Sequence, residues 1–267
     1  MTKPDLGAVF DAAHAEFAVL SPLLWEPIGA ETTARSAPRP GDRVLDVCCG
    51  AGSSAFPAAR AVGPTGRVDG IDLADRLLDQ GRTRAAAEGL DQLRFTAADA
   101  TTWPGVEGGY DVVQCVFGVF FFPDMNIGGA HLVSLLRPGG RFTATTWDRT
   151  AITPVPEILV DAIRDVTGET PRRDGPAPTE RINTPDLLTE WLTSLGLREV
   201  EVSTYPHRMR LGPDAAWALV MGAAMRAMLM GMDADTVERV RARFTALLTD
   251  RGVDELNATT LIGTGRT

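Results

Sequence analysis

The sequence predicts an α/β fold built on a mostly parallel sheet, and three observations carry that prediction. Between Arg43 and Trp147 short β-branched runs alternate with helical stretches, the pattern of strands covered by helices on both faces. A Gly-x-Gly turn follows the first run and opens a helix. The chain has 267 residues, near the size of roughly 250–300 residues at which one hydrophobic core stops growing.

Strands are expected at Arg43–Val47, Arg67–Asp72, Leu93–Asp99, Tyr110–Val116 and Gly140–Trp147, with helices over Ser53–Ala61, Ala74–Glu88 and Asn126–Leu136. Gly63-Pro64-Thr65-Gly66 turns the chain into the second strand, and Arg137-Pro138-Gly139-Gly140 stops a helix before the fifth. Ahead of this core, Pro4–Phe17 reads as an amphipathic helix and Ala37-Pro38-Arg39-Pro40-Gly41 as a linker. After it, Thr153–Thr167 suggests a helix and Pro171–Pro178 a loop. Thr184–Leu195 opens with Thr-Pro at a helix N-cap and first turn. Arg198–Tyr205 and Asn257–Thr264 alternate like strands and can complete the sheet. Two helices, Pro213–Met230 and Asp233–Thr249, lie between them. The expected division is a cap over 1–40, a binding core over 41–150, connecting helices over 151–197, a strand over 198–212, a helical lid over 213–252 and a last strand over 253–267.

Composition narrows the function. With 26 Lys+Arg against 35 Asp+Glu, the net charge of −9 has the wrong sign for binding nucleic acid or an anionic membrane. No run of about 18 apolar residues is present to insert into a bilayer. Lys3 is the only lysine, which removes a P-loop lysine, a Schiff-base lysine and the Tyr/Lys pair of short-chain dehydrogenases. Cys48, Cys49 and Cys115 lack C-x-x-C spacing, and the N-terminus lacks a charged-then-apolar leader. A cytoplasmic location and no metal site are therefore expected.

Chemistry concentrates in Val44-Leu45-Asp46-Val47-Cys48-Cys49-Gly50-Ala51-Gly52-Ser53. A strand that enters a Gly-x-Gly turn and then a helix lets backbone amides approach a ligand closely. Gly50–Ala55 also matches the G-x-G-x-x-A dinucleotide fingerprint, and Asp72 lies where an acid would hold a ribose, so an NAD(P)-dependent oxidoreductase is one reading. Asp46, four residues before Gly50, is not required by that pattern; it suits a ligand with an ammonium or hydroxyl group.

Val44–Ser53 resembles motif I of class I S-adenosylmethionine-dependent methyltransferases, and later segments resemble the family's further motifs in order. Ile71-Asp72-Leu73 is similar to the motif whose acid binds the ribose hydroxyls, and Ala98-Asp99-Ala100 to the one whose aspartate accepts from the adenine amino group. Tyr110–Phe117 resembles the strand that ends beside the methionine portion, and Leu135–Phe142 the helix-turn-strand that follows. The spelling Asp-Val-Cys-Cys-Gly is most similar to the ubiquinone/menaquinone-biosynthesis type and its natural-product relatives. Cys48 stands where a glycine is more usual, and Val119–Asp124 is aromatic where relatives often carry a histidine.

The resemblance implies a Rossmann-like, seven-stranded class I methyltransferase fold with helical cap and lid. It implies S-adenosyl-L-methionine as cofactor, held by Asp46, Gly50, Ala51, Gly52, Asp72, Leu73, Asp99, Ala100, Cys115 and Val116, with Trp25 closing over it. The implied reaction is methyl transfer to oxygen or carbon of a small, partly apolar metabolite such as a quinol or polyketide. Holding nucleophile, methyl and sulfur collinear in a dry pocket supplies much of such a rate. Phe117, Phe120 and Phe121 are candidates for the acceptor wall, with core packing as the plainer role. Met221, Met225, Met228 and Met232 are spaced for one helical stripe. The stripe suits a lid, with Met221 and Met225 against the acceptor, and equally core packing or a homodimer seam. His207 and His14 are the candidate bases for an alcohol acceptor, whereas His131 is expected to face solvent. The missing histidine leaves a non-catalytic, cofactor-binding scaffold as a further alternative.

Overall fold

A computed structural model describes residues 6–171 and 177–267. Lys3, the start of the expected helix at Pro4 and most of the expected Pro171–Pro178 loop lie outside the described residues. The chain begins with α1 (Leu6–Ala12) and α2 (His14–Leu20), followed by a π-helical turn, Ser21–Trp25, and α3 (Glu26–Ser36). The expected single helix to Phe17 is thus two helices, and α3 is an addition to the sequence reading. The core then runs β1 (Arg43–Val47), α4 (Ala55–Val62), β2 (Arg67–Asp72), α5 (Asp75–Glu88), β3 (Leu93–Ala97), β4 (Tyr110–Val116), α6 (Met125–Ser134) and β5 (Leu136–Trp147). It continues through α7 (Val155–Thr167), α8 (Pro185–Ser194), β6 (Arg198–Tyr205), β7 (Arg208–Arg210), α9 (Pro213–Met221), α10 (Ala234–Asp250), β8 (Glu255–Asn257) and β9 (Thr260–Arg266).

Local chemistry sets the boundaries. α4 and α5 stop at Gly63 and Gly89, whose φ of 64° and 65° is the left-handed backbone that favours glycine. α6, α8 and α10 start where Asp124, Thr184 and Asp233 accept hydrogen bonds from first-turn amides.

Seven strands form one sheet in the order β3-β2-β1-β4-β5-β9-β6. Pairing is parallel from β3 to β5, while β9 runs antiparallel to both β5 and β6. β7 and β8 form a separate two-stranded ribbon. The order reverses between β1 and β4, so a crevice opens at their C-terminal ends, where open α/β sheets bind ligands. Strand alternation sorts side chains to the two faces. Val44 and Val112 join the core under α4 and α5; Leu45, Val47, Val113 and Cys115 join the core shared with α6 and α8. A third core packs α7, α9 and α10 against Leu20, Leu24, Trp25 and Ile28 of the N-terminal segment.

The expected Pro213–Met230 helix ends at Met221. Gly222 caps it and a 3-10 turn, Ala224–Leu229, follows, so the four methionines do not share one α-helical stripe. The physical reason is a crossing. A Cβ at Gly222 would sit 2.8 Å from the Ala218 carbonyl of its own helix and 3.3 Å from Leu20 Cδ1 and the Phe17 amide, so a side chain would be crowded where α9 meets α2. Met225 is nonetheless buried, and Met221, Met228 and Met232 pack half-buried on the same core. No helix among the described residues is long and apolar enough to cross a membrane.

Candidate functional site

The loop after β1 is shaped by three left-handed residues, Cys48, Gly50 and Gly52, with φ of 54°, 53° and 95°. For Cys48 that conformation carries a side-chain penalty, which explains why glycine is usual there. Gly52 lacks room as well: a Cβ would meet Phe56 and Phe95 at 2.8 Å. Gly50 differs, because a Cβ there would meet only side-chain carbons, the nearest being the tip of the Phe17 ring at 3.3 Å. Ala51 lies half-buried between the two glycines.

Asp72 ends β2 and accepts from the Gly50 amide at 2.8 Å and the Ala74 amide at 2.9 Å, tying the loop to the second strand end. Burial raises the Asp72 carboxyl above its ordinary range, against the pull of those amides. Leu73 beside it is 54% exposed, an apolar surface at a strand end. Asp99 is exposed after β3 and accepts from the Thr101 amide and hydroxyl at 2.8 and 2.7 Å. Ala100 next to it is buried. Three strand ends therefore converge on one edge of the crevice.

Asp46 is placed differently from the expectation that it touches a ligand. It faces inward from β1 and is 0% exposed, with both carboxylate oxygens accepting from Ser54 Oγ at 3.0 and 2.8 Å. Burial pushes its carboxyl up to about 7, against hydrogen bonds from Ser54 and Gln114. Asp46 thus holds the loop from beneath. Around it, Gln114 donates to the Ser54 carbonyl at 3.2 Å and accepts from Ser36 Oγ at 2.9 Å, while Thr33 Oγ1 donates to the same Ser54 carbonyl at 3.1 Å. Ser53 Oγ, in the loop itself, is buried without a hydrogen-bond partner.

At the end of β4, Cys115 is fully buried, so it too presents no surface, and Val116 is half-buried. A Cβ at Gly118 would lie 2.5 Å from Cys115 Sγ and 2.7 Å from Cys48 Sγ, so glycine alone fits between these sulfurs. A hydrogen bond with Cys115, then burial, pushes the Cys48 thiol well up; burial does the same at Cys49. Both remain protonated thiols rather than nucleophiles.

Phe117 follows with a left-handed φ of 56°, an outlier for a bulky residue. Its ring stacks on Trp147 of β5 at 4.1 Å and meets Trp25 edge-on at 5.8 Å. Trp25 lies 6.2 Å from Trp147 and stacks on Phe17 at 5.2 Å. The residue against the glycine loop is therefore Phe17, and Trp25 sits behind it. Sequence reading missed Phe17 and Trp147 because neither belongs to a motif. Phe120 and Phe121 lie with the α6 and α8 core, which Phe117 also touches; Phe120 is buried and Phe121 reaches Phe10 at 5.7 Å, away from Trp25 and Trp147. Met221 and Met225 pack in the same core as Trp25.

The histidines are engaged by backbone carbonyls. His207 Nε2 lies 2.8 Å from the Leu23 carbonyl, with its ring stacked on Tyr205 at 5.8 Å. His14 Nδ1 lies 2.9 Å from the Asp11 carbonyl. Since a carbonyl only accepts, one nitrogen of each is a donor, and the other remains for base chemistry. His131, expected in solvent, is half-buried, with Nε2 3.0 Å from the Trp103 carbonyl.

A family model described as the ubiE/COQ5 methyltransferase family matches residues 17–157. Aklanonic acid methyltransferase from Streptomyces sp. (strain C5) is 34% identical over 145 residues, 54% of this chain and 66% of the relative. Nocamycin O-methyltransferase from Saccharothrix syringae is 35% identical over 145 residues, again 54% of this chain but 49% of the relative. The match thus spans less than two thirds of either relative's own length. Among solved structures, the YcgJ protein of Bacillus subtilis aligns with a TM-score of 0.59 at 15% identity, covering 90% of this chain and 97% of its own. That likeness is one of fold.

Proposed function

Because the chain belongs to the ubiE/COQ5 methyltransferase family, we propose that it transfers a methyl group from S-adenosyl-L-methionine to an oxygen or carbon of a small, partly apolar metabolite. The observation that carries this reading is the convergence of Gly50, Asp72 and Asp99 on the crevice at the β1/β4 reversal. The cofactor supplies an electrophilic methyl on a sulfonium when bound. The residues fit it: Gly50 offers a backbone with no side chain, and Asp72 a carboxylate to ribose hydroxyls. Leu73 offers an exposed apolar face to adenine, with Asp99 nearby for its amino group. Ser53 Oγ, unpartnered and buried in the loop, has hydrogen-bonding capacity in hand. A ligand seated on Gly50 has to move the Phe17 ring, a side-chain displacement that leaves the sheet unchanged.

The relatives' names give aklanonic acid and nocamycin methylated at oxygen as acceptors, and a partly apolar acceptor suits the aromatic neighbourhood built from Trp25, Phe117 and Trp147. The match to a methyltransferase family model and to methyltransferase relatives leaves the oxidoreductase reading without support. A scaffold reading predicts binding without turnover. Isothermal titration with S-adenosyl-L-methionine and its demethylated product tests the proposal, and labelled-methyl release across phenols, quinols and keto acids separates enzyme from scaffold. Asp72→Ala should weaken binding at least about tenfold, since it removes a charged hydrogen-bond acceptor of about 1.5–3 kcal/mol. Unchanged affinity refutes the ribose assignment.

A further inference from the structure

We propose that α1 is an inhibitory strap: it lies across the cofactor crevice, hinged at Ala13 and latched through Phe10, Asp11 and Arg226, and the cofactor enters only after it swings out. This adds regulation to the methyl-transfer reading and rests on it for the identity of the cofactor.

The strap is defined by where its side chains land. Phe10 meets Phe121, just after β4, edge-on at 5.7 Å. One residue on, Asp11 Oδ1 accepts from the Arg76 amide in the first turn of α5 at 2.9 Å. Beside burial, the charge of Asp11 raises the Asp72 carboxyl, so Asp11 faces the acid at the end of β2. Two consecutive residues thus touch opposite walls of the crevice, with the glycine loop of β1 between those walls. Phe17, on the first turn of α2, closes the middle: its ring tip lies 3.3 Å from where a Gly50 Cβ would stand. Residues 10–17 therefore bridge the ends of β1, β2 and β4, the ground that a ligand at a switch point occupies.

What holds α1 is slight and local. Of residues 7–12 only Val9 is buried. The joint with α2 is held by its carbonyls instead. Arg226 Nη1, from the 3-10 turn after α9, donates to the Ala12 carbonyl at 3.0 Å, and Gln80 Nε2 of α5 donates to the His14 carbonyl at 3.2 Å. Between them Ala13 breaks the helix, with φ −97° and ψ 3°. α2 is fixed more firmly, because Leu20 is fully buried and Gly222 lets α9 pack close to the Phe17 amide. A short helix with little buried surface, joined to a packed one, belongs to the part of a chain that opens first. Opening at Ala13 breaks one aromatic contact and the hydrogen bonds of Asp11 and Arg226, and it leaves the sheet and α2 in place. The Phe17 ring leaves Gly50 in the same event by rotating its side chain.

Stopped-flow mixing of the full chain with S-adenosylhomocysteine tests the strap, read by tryptophan fluorescence because Trp25 stacks on Phe17. If opening precedes binding, the observed rate at high S-adenosylhomocysteine approaches the opening rate and no longer depends on concentration. Arg226→Met and Phe10→Ala should each raise that limiting rate, and the affinity by isothermal titration, about 2–12-fold, the span of one hydrogen bond or one aromatic contact. Dissociation should stay within about twofold, since the open strap does not hold the bound cofactor. Weaker binding with faster dissociation in the variants makes α1 part of the seat and overturns the strap. A rate that climbs linearly at every concentration, or variants that bind as the unaltered chain does, also overturns it. The concentration dependence in the unaltered chain decides the matter even if a variant does not fold. Failure of all three proteins to bind S-adenosylhomocysteine instead overturns the methyl-transfer reading and the strap with it, so the two failures are distinguishable.

Discussion

Replacing Asp46 with asparagine should remove a pH dependence of stability that the native chain carries through the neutral range. Burial raises the Asp46 carboxyl from 3.8 to about 7. Between those values the folded chain keeps a proton that the unfolded chain has released. Stability is therefore fully present below the lower value and is lost as pH rises through the upper one, at about 1.4 kcal/mol per pH step. The whole window amounts to about 4 kcal/mol, of which about 3 kcal/mol falls between about pH 4.5 and about pH 8. Asparagine is near in shape to the protonated acid and keeps an oxygen for Ser54, so Asp46→Asn should match the native chain at the acidic end and exceed it at the basic end. Urea unfolding at several pH values measures the difference. The carboxyls of Glu88, Asp111, Asp124, Asp161 and Asp233, held below their ordinary range, are common to both proteins and cancel from it, whereas Asp72, whose charge helps to raise Asp46, is the one shifted carboxyl that the substitution also touches. Parallel stability curves for the two proteins would refute the reasoning.

Two further outcomes follow from the same geometry. Phe17→Ala removes a stack of about 0.5–1.5 kcal/mol that a cofactor must displace, so S-adenosylhomocysteine affinity should rise about 2–12-fold by titration; weaker binding would make Phe17 part of the seat rather than its cover. Gly29→Ala pushes a methyl into the Ser53 backbone and should destabilise the chain by about 2–3 kcal/mol in urea unfolding while weakening cofactor binding, because the loop must shift. A variant as stable as the native chain would show that α3 does not lock the loop.

Much of this was legible in the amino-acid sequence. β1, β2 and β4 lie at their expected bounds because glycine and proline turns punctuate the core and buried strands read as apolar runs, and β6, an edge strand without a buried residue, does so because its side chains alternate. Helix α3 was not legible. Its inward face is Ile28, Gly29, Thr32, Thr33 and Ser36, helically spaced but mostly small or polar, so hydrophobic period gave no signal. Those hydroxyls are buried because they bond partners far along the chain, such as Thr145 and Gln114, and long-range pairing leaves no local trace. The methionine stripe misled for the opposite reason, since its spacing is helical while Gly222 ends the helix at a crossing. At the site, the strand-end acids were found by position, but the inward turn of Asp46 depends on which face of β1 it occupies. The aromatic group joins residues 17, 25, 117 and 147, each from a different element, and only the fold brings them together.

The placement of β9 sets an order of events during synthesis. β6 has one neighbour in the sheet, and that neighbour is β9, made last of the seven. About 54 residues separate Tyr205 from Thr260, so at roughly 5–20 residues per second a nascent chain holds β6 unpaired for roughly 3–11 s. The flank of β5 stays open for longer still. Until β9 slides in between them, two strand edges are exposed to other chains. The risk of aggregation in the cell is thus concentrated before translation of residues 260–266, and a chaperone that shields strand edges would act in that interval.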